Sequence, residues 1–138
     1  MGKDFEFINH TADVGVVAYG ASLSEAFSNA ARALFSLIVE LRSVRETLSR
    51  GIELKAPDDE SLLVEWLNEL IYLFDTENIL FRRFDVTVLG EGRLRATGYG
   101  EKVDRSRHRL KVGVKAATYH MLRVTKDNGY RVQVIFDI

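Results

Sequence analysis

The chain has 138 residues, 46% of them apolar and 28% charged. That much apolar material can offset the ordering entropy of a fold, so bulk disorder is excluded, and no run approaches the roughly 20 apolar residues a bilayer span needs. Lysine plus arginine total 19 against 20 acids, a net charge of −1 that argues against a protein held to nucleic acid mainly by its global field. Cysteine is absent, which removes disulfides, thiol catalysis, zinc ribbons and iron–sulfur clusters together. An acid at position 4 and no apolar stretch behind it give no export signal, so a cytoplasmic location is expected. A single proline, Pro57, and no repeat or linker-like stretch predict one domain over 1–138.

In chain order, residues 5–8 and 14–19 are rich in β-branched and aromatic side chains and read as strands. The polar run Asn9-His10-Thr11-Ala12-Asp13 joins them. Ser22-Leu23-Ser24-Glu25 is a capping box, and the helix it opens carries Leu23, Ala26, Phe27, Ala30, Ala31, Leu34, Phe35, Ile38 and Leu41 at helical spacing. Residues 44–56 are ambiguous, although Ile52-Glu53-Leu54-Lys55 alternates as a half-buried strand would. A second helix starts at Pro57-Asp58-Asp59-Glu60, where acids suit the helix dipole, and closes at Asp75-Thr76-Glu77-Asn78. Its apolar face is Leu62, Leu63, Trp66, Leu67, Leu70, Ile71 and Phe74.

The remainder reads as strand: 79–89 and 94–100 about a Gly90-Glu91-Gly92 turn, then alternation within 111–125, then 132–136. Asn128-Gly129 is the best hairpin signal, because both residues tolerate positive φ. Strands at both ends around two long amphipathic helices predict an α+β two-layer sandwich, mostly antiparallel, with the helices on one face.

Chemistry is sparse. Gly98-Tyr99-Gly100 lacks the rest of any phosphate-loop pattern, and no serine sits in a nucleophile elbow. His10, His108 and His120 have no zinc spacing, and His108, within a basic loop, reads as a solvated residue. Asp13 borders a wholly apolar strand, and Asp137 follows the most hydrophobic strand, with only Ile138 after it. If those strands pair, the carboxylates of Asp13 and Asp137 and the α-carboxylate of Ile138 converge. Their mutual repulsion would be relieved by a hard divalent cation, Ca²⁺ or Mg²⁺. The simpler alternative is an Asx turn at Asp13 and a solvated Asp137. His10 to Asp13 likewise have a bland account, with Thr11 and Asp13 satisfying loop backbone groups and His10 a buried, hydrogen-bonded residue. The basic run Lys102, Arg105, Arg107, Arg109, Lys111 and Lys115, interleaved with Glu101 and Asp104 and without an aromatic platform, reads as a solvated face; its functional alternative is docking on an acidic partner or a transient RNA contact.

Four pieces of the chain resemble the archease family: Asn9-His10-Thr11-Ala12-Asp13-Val14-Gly15, Leu62-Leu63-Val64-Glu65-Trp66-Leu67-Asn68-Glu69-Leu70, Lys115-Ala116-Ala117-Thr118-Tyr119-His120 and Val134-Ile135-Phe136-Asp137-Ile138. They occur in the family's order over nearly the full length. Ala117 departs from the usual Lys-Ala-Val-Thr, a small change in an expected strand. The resemblance implies a non-enzymatic accessory protein of tRNA splicing. Such a protein would activate an RtcB-type RNA ligase, promoting guanylylation of the ligase's active-site histidine and restoring multiple turnover, with tRNA met only indirectly or transiently. It also implies a metal site at Asp13 and Asp137, with Ile138 as a third ligand and Ca²⁺ as the ion, Mg²⁺ being the other candidate. His10 then supports the metal ligands from behind or faces the partner. The rival readings are a general chaperone or partner of tRNA-processing and tRNA-modification enzymes, and a metal-dependent hydrolase built on the same carboxylates.

Overall fold

The computed structural model describes residues 3–9 and 12–138. Strand β1 (Phe5–Asn9) runs antiparallel to β2 (Asp13–Gly20), and β2 pairs on its other side with the last strand, β7 (Tyr130–Asp137). Strand β6 (Ala116–Lys126) completes a four-stranded sheet in the order β1-β2-β7-β6. The remaining strands, β3 (Leu48–Lys55), β4 (Ile79–Gly90) and β5 (Arg93–Lys102), form a second sheet in the order β3-β5-β4. Every pairing is antiparallel. The expected α+β class with two long helices is found, and its strands divide between two sheets.

Helix α1 (Leu23–Ile38) starts as its capping box dictates. Ser22 Oγ accepts from the Glu25 N–H, and the Glu25 carboxylate accepts from the Ala21 N–H. The helix ends at Ile38, short of the predicted Leu41, which belongs to a separate 3₁₀ turn, Leu41–Ser43. Helix α1 lies against β2 and β7 of the first sheet and against β4 of the second. Contact on two sides explains why small alanines alternate with Phe27, Leu34 and Phe35, all fully buried. Helix α2 (Asp59–Glu77) is capped by Asp58, whose carboxylate accepts from the Ser61 N–H, and ends at Asn78 in the left-handed conformation. Trp66 ties the helices together, its indole N–H donating to the Phe27 carbonyl at 3.0 Å inside the core.

Gly98 and Gly100, which resembled a fragment of a phosphate loop, are packing glycines. A Cβ on Gly100 would stand 1.8 Å from the Leu80 carbonyl oxygen, and one on Gly98 would strike the Phe81 ring. Among the described residues no helix is long and apolar enough to cross a membrane.

Candidate functional site

Asp13 is the first residue of β2 and Asp137 the last of β7, and they are direct cross-strand partners. The core sets this register. Val14 faces Phe136, Val16 faces Val134 and Ala18 faces Val132, an apolar series of which Val16, Ala18, Val132, Val134 and Phe136 pack beneath the helices. Residues of the other parity, Gly15 with Ile135 and Val17 with Gln133, share the opposite face with the two aspartates. Directly opposed residues bring their Cβ atoms to about 4.5–5.5 Å. Asp13 is half-buried and Asp137 exposed. The third strand borders the pair as well: Ala116 lies opposite Asp137, and the Lys115 N–H donates to the Asp137 carbonyl at 2.8 Å. Ile138 follows at 37% exposure. The structure thus brings together the two ends whose meeting the sequence left conditional. Among the described residues, no group of three histidine, aspartate or glutamate side chains is placed to share an ion. His10 and Thr11 lie outside the described residues.

Two neighbours of the pair were not singled out individually by sequence reasoning. Asn68, on α2, offers β6 the partner a further strand would supply. Its Oδ1 accepts from the Ala117 N–H at 2.8 Å, and its Nδ2 donates to the Ala117 carbonyl at 3.2 Å. Gln133, buried on β7, donates to the Met121 carbonyl at 2.9 Å and holds a wide bulge in β6. There Thr118 pairs with Ile135 and the next pair is Arg123 with Gln133, so residues 119–122 are accommodated opposite one residue. Met121 adopts φ +53° within the bulge, which leaves Tyr119, His120 and Met121 exposed. For Gln133 the signal was an amide inside an apolar run, since a buried polar group must find partners; Asn68, half-buried beside Glu69, carried no such signal. Asn9, Asp13, Gly15, Asn68, Ala117 and Asp137 therefore bring described residues of all four family-like pieces to one end of the first sheet.

A second polar cluster corrects an expectation. His108 is buried, not solvated, at 4% exposure. Its Nδ1 accepts from the Asp104 N–H at 2.9 Å, which leaves Nε2 as the donor to Glu101, also at 2.9 Å. Glu101 accepts in addition from the Arg45 N–H and from Arg107. Burial works to raise the Glu101 carboxyl, but the Arg45 N–H, Arg107 and His108 together hold it below the usual glutamate range. A surrounded carboxylate of this kind organises structure rather than chemistry. The segment 103–112 that it anchors also takes two hydrogen bonds to the end of α1, from Lys111 N–H to Ile38 and from Val112 N–H to Leu37.

The model of the archease protein family matches residues 5–138. Curated archeases are similar over essentially their whole lengths. That of Methanosarcina barkeri is 42% identical over 143 residues, covering 100% of this chain and 98% of its own, and that of Pyrococcus furiosus is 40% identical with 99% coverage of both. The solution structure of protein 1598 from Methanobacterium thermoautotrophicum superposes with a TM-score of 0.83 at 38% identity, covering 98% of this chain and 99% of that one. The crystal structure of an archease from Thermotoga maritima, described as a possible chaperone, shares the fold, with a TM-score of 0.65 at 21% identity and coverage of 95% and 94%. This chain belongs to the archease family.

Proposed function

We propose that this archease is a non-catalytic activator of an RtcB-type tRNA-splicing RNA ligase, promoting ligase guanylylation and repeated turnover through the Asp13–Asp137 end of its first sheet. The observation that supports this reading is the cross-strand register of the two aspartates. Like charges set directly opposite in a sheet are unfavourable, and a bound cation would relieve the repulsion. An all-oxygen donor set suits a hard cation, Ca²⁺ or Mg²⁺, rather than zinc or copper. Asp13 and Asp137 would hold it, with main-chain oxygen of Ile138 as a further ligand. When bound, such an ion supplies positive charge that can position nucleotide phosphates.

The protein's own contribution is placement. Apolar packing beneath the sheet fixes the opposition of the aspartates, and the Lys115 N–H fixes the Asp137 main chain. Around this end Phe7, Ile8, Tyr119, Met121 and Ile138 are exposed large apolar side chains, suited to contact with a protein surface. In an assay of purified ligase and archease, Asp13→Ala and Asp137→Ala lose the stimulation of guanylylation while circular dichroism stays native. Full stimulation by both variants would discard the mechanism.

A second reading, a general chaperone for tRNA-processing enzymes, draws on the same exposed apolar side chains and on the description of the Thermotoga relative. It predicts suppression of aggregation, measured by light scattering, that is indifferent to both aspartates.

A further inference from the structure

The cationic surface beside Glu101 has features that neither the aspartate pair nor the core explains. A segment of about a dozen residues without regular structure is uncommon in a compact domain unless it serves a function. Residues 103–115 form such a segment, yet they are tied down by a buried carboxylate, a buried histidine and an inward arginine. Because Glu101 is occupied by Arg107, His108 and the Arg45 N–H, it does not cancel the charges that point outward. Arg105 and Arg109, on either side of the inward pair, are exposed, and so is Lys111.

The same cluster gathers cations from other elements. Arg107 donates to the Ser43 carbonyl at 3.0 Å, and Arg82, exposed on β4, donates to the Val44 carbonyl at 3.1 Å. Arg42 and Arg45, which flank those carbonyls, are both exposed. Nearby acids are few: Glu40 sits 3.7 Å from Arg42, Glu46 is paired with Arg83, and Asp104 is engaged by Ser106 and Arg107. On a chain of net charge −1 this concentration is local. It is matched by α2, where Asp59, Glu60, Glu65, Glu69, Asp75 and Glu77 have no lysine or arginine among them.

We infer that the face formed by Arg42, Arg45, Arg82, Arg105, Arg109 and Lys111 binds the phosphate backbone of structured RNA. One observation selects this ligand over an acidic protein. The cations are nearly all arginine, whose planar fork matches phosphate and carboxylate oxygens alike, so the choice between them falls to their surroundings. No exposed large apolar side chain lies in segments 40–47, 82–83 or 103–113; those among the described residues are Phe7, Ile8, Tyr72, Leu89, Tyr119, Met121 and Ile138. A protein interface is centred on aromatic, apolar or arginine anchors packed into desolvated pockets, whereas binding to a nucleic-acid backbone is carried mainly by charge and needs no such pocket. The absence of an exposed aromatic platform in these segments also favours helical RNA over unstacked single strands. Binding of this kind is indifferent to base sequence and weakens with salt.

The test is fluorescence anisotropy of the full chain with a labelled RNA hairpin, a labelled unstructured RNA and a labelled polyglutamate peptide, between about 50 and 200 mM salt. The wild type is expected to bind the hairpin best, with log affinity falling linearly in log salt. The double substitution Arg105→Glu with Arg109→Glu should weaken hairpin binding at least tenfold. The milder Arg105→Gln with Arg109→Gln, which guards against misfolding, should reduce the salt slope by about two. Asp13→Ala should leave hairpin binding unchanged, which separates this surface from the aspartate site. Absence of hairpin binding at the lowest salt, retention of affinity and slope in the glutamine variant, or preference for polyglutamate or unstructured RNA would each overturn the inference.

Discussion

The two carboxylate sites of this molecule are built on opposite plans. Glu101 is surrounded by donors from its own chain: the Arg45 N–H, Arg107 and His108. Asp13 and Asp137 are set opposite one another at the end of a sheet, with Asp137 open to solvent. A charge satisfied from within stabilises a fold, since desolvation is offset by good hydrogen bonds and an ion pair. Two like charges held face to face cost stability. The contrast is between a carboxylate enclosed by donors and a pair of acids at a sheet end, one of them open to solvent; under the proposed function that pair is the part which meets a ligand.

Breaking the structural site should give the larger stability effect. Glu101→Ala leaves buried His108 and half-buried Arg107 beside an empty position and is expected to lower the unfolding free energy by about 3 kcal/mol, measured by urea denaturation. Asn68→Ala removes both partners of the Ala117 peptide at the sheet edge and should cost about 1–3 kcal/mol in the same experiment. Asp137→Asn runs the other way. Relief of the cross-strand repulsion should raise stability in chelator by about 0.2–1 kcal/mol, whereas added Ca²⁺ should raise the thermal midpoint of the wild type and not that of the variant. A variant no more stable than the wild type in chelator would remove the repulsion from the account.

The smallest effect is in pH. The Glu101 carboxyl lies below its ordinary 4.5 in the folded protein, so its contribution is fully present above that value and is lost as pH falls through the depressed folded one. Glu101→Gln should therefore flatten the decline of thermal midpoint with acidification below about pH 4.5, although other carboxylates will keep part of it. Asp104 adds in the same direction, because hydrogen bonds from Ser106 hold its carboxyl low.

Much of this was readable because local physics dominated locally. Ser22 and Asp58 are caps wherever they precede such helices, and the Asn128-Gly129 turn takes positive φ at both residues. Asp13 and Asp137 could be suspected from their position beside apolar strands, but more than a hundred residues separate them, and only strand order brings them together. His108 misled because its neighbours in sequence are charged while its neighbours in space are Glu101 and the Asp104 backbone. The division into two sheets was illegible for a related reason. Alternation reports that a strand has an inner face, not which sheet it joins. The β6 bulge needed Gln133, a residue of another strand, to hold it open.

Beyond the hairpin that leads into it, β7 begins its pairing with β2 at Tyr130 opposite Gly20, and seven steps later the count arrives at Asp137 opposite Asp13. The last strand is in this sense a ruler. Lengthening or shortening it by one residue would have to push Val132, Val134 and Phe136 out of the interior or slide the acid past its counterpart. The interior, which touches nothing outside the molecule, consequently sets the spacing of the two acids at its surface, and repacking Val16 or Val134 would shift that spacing from a distance.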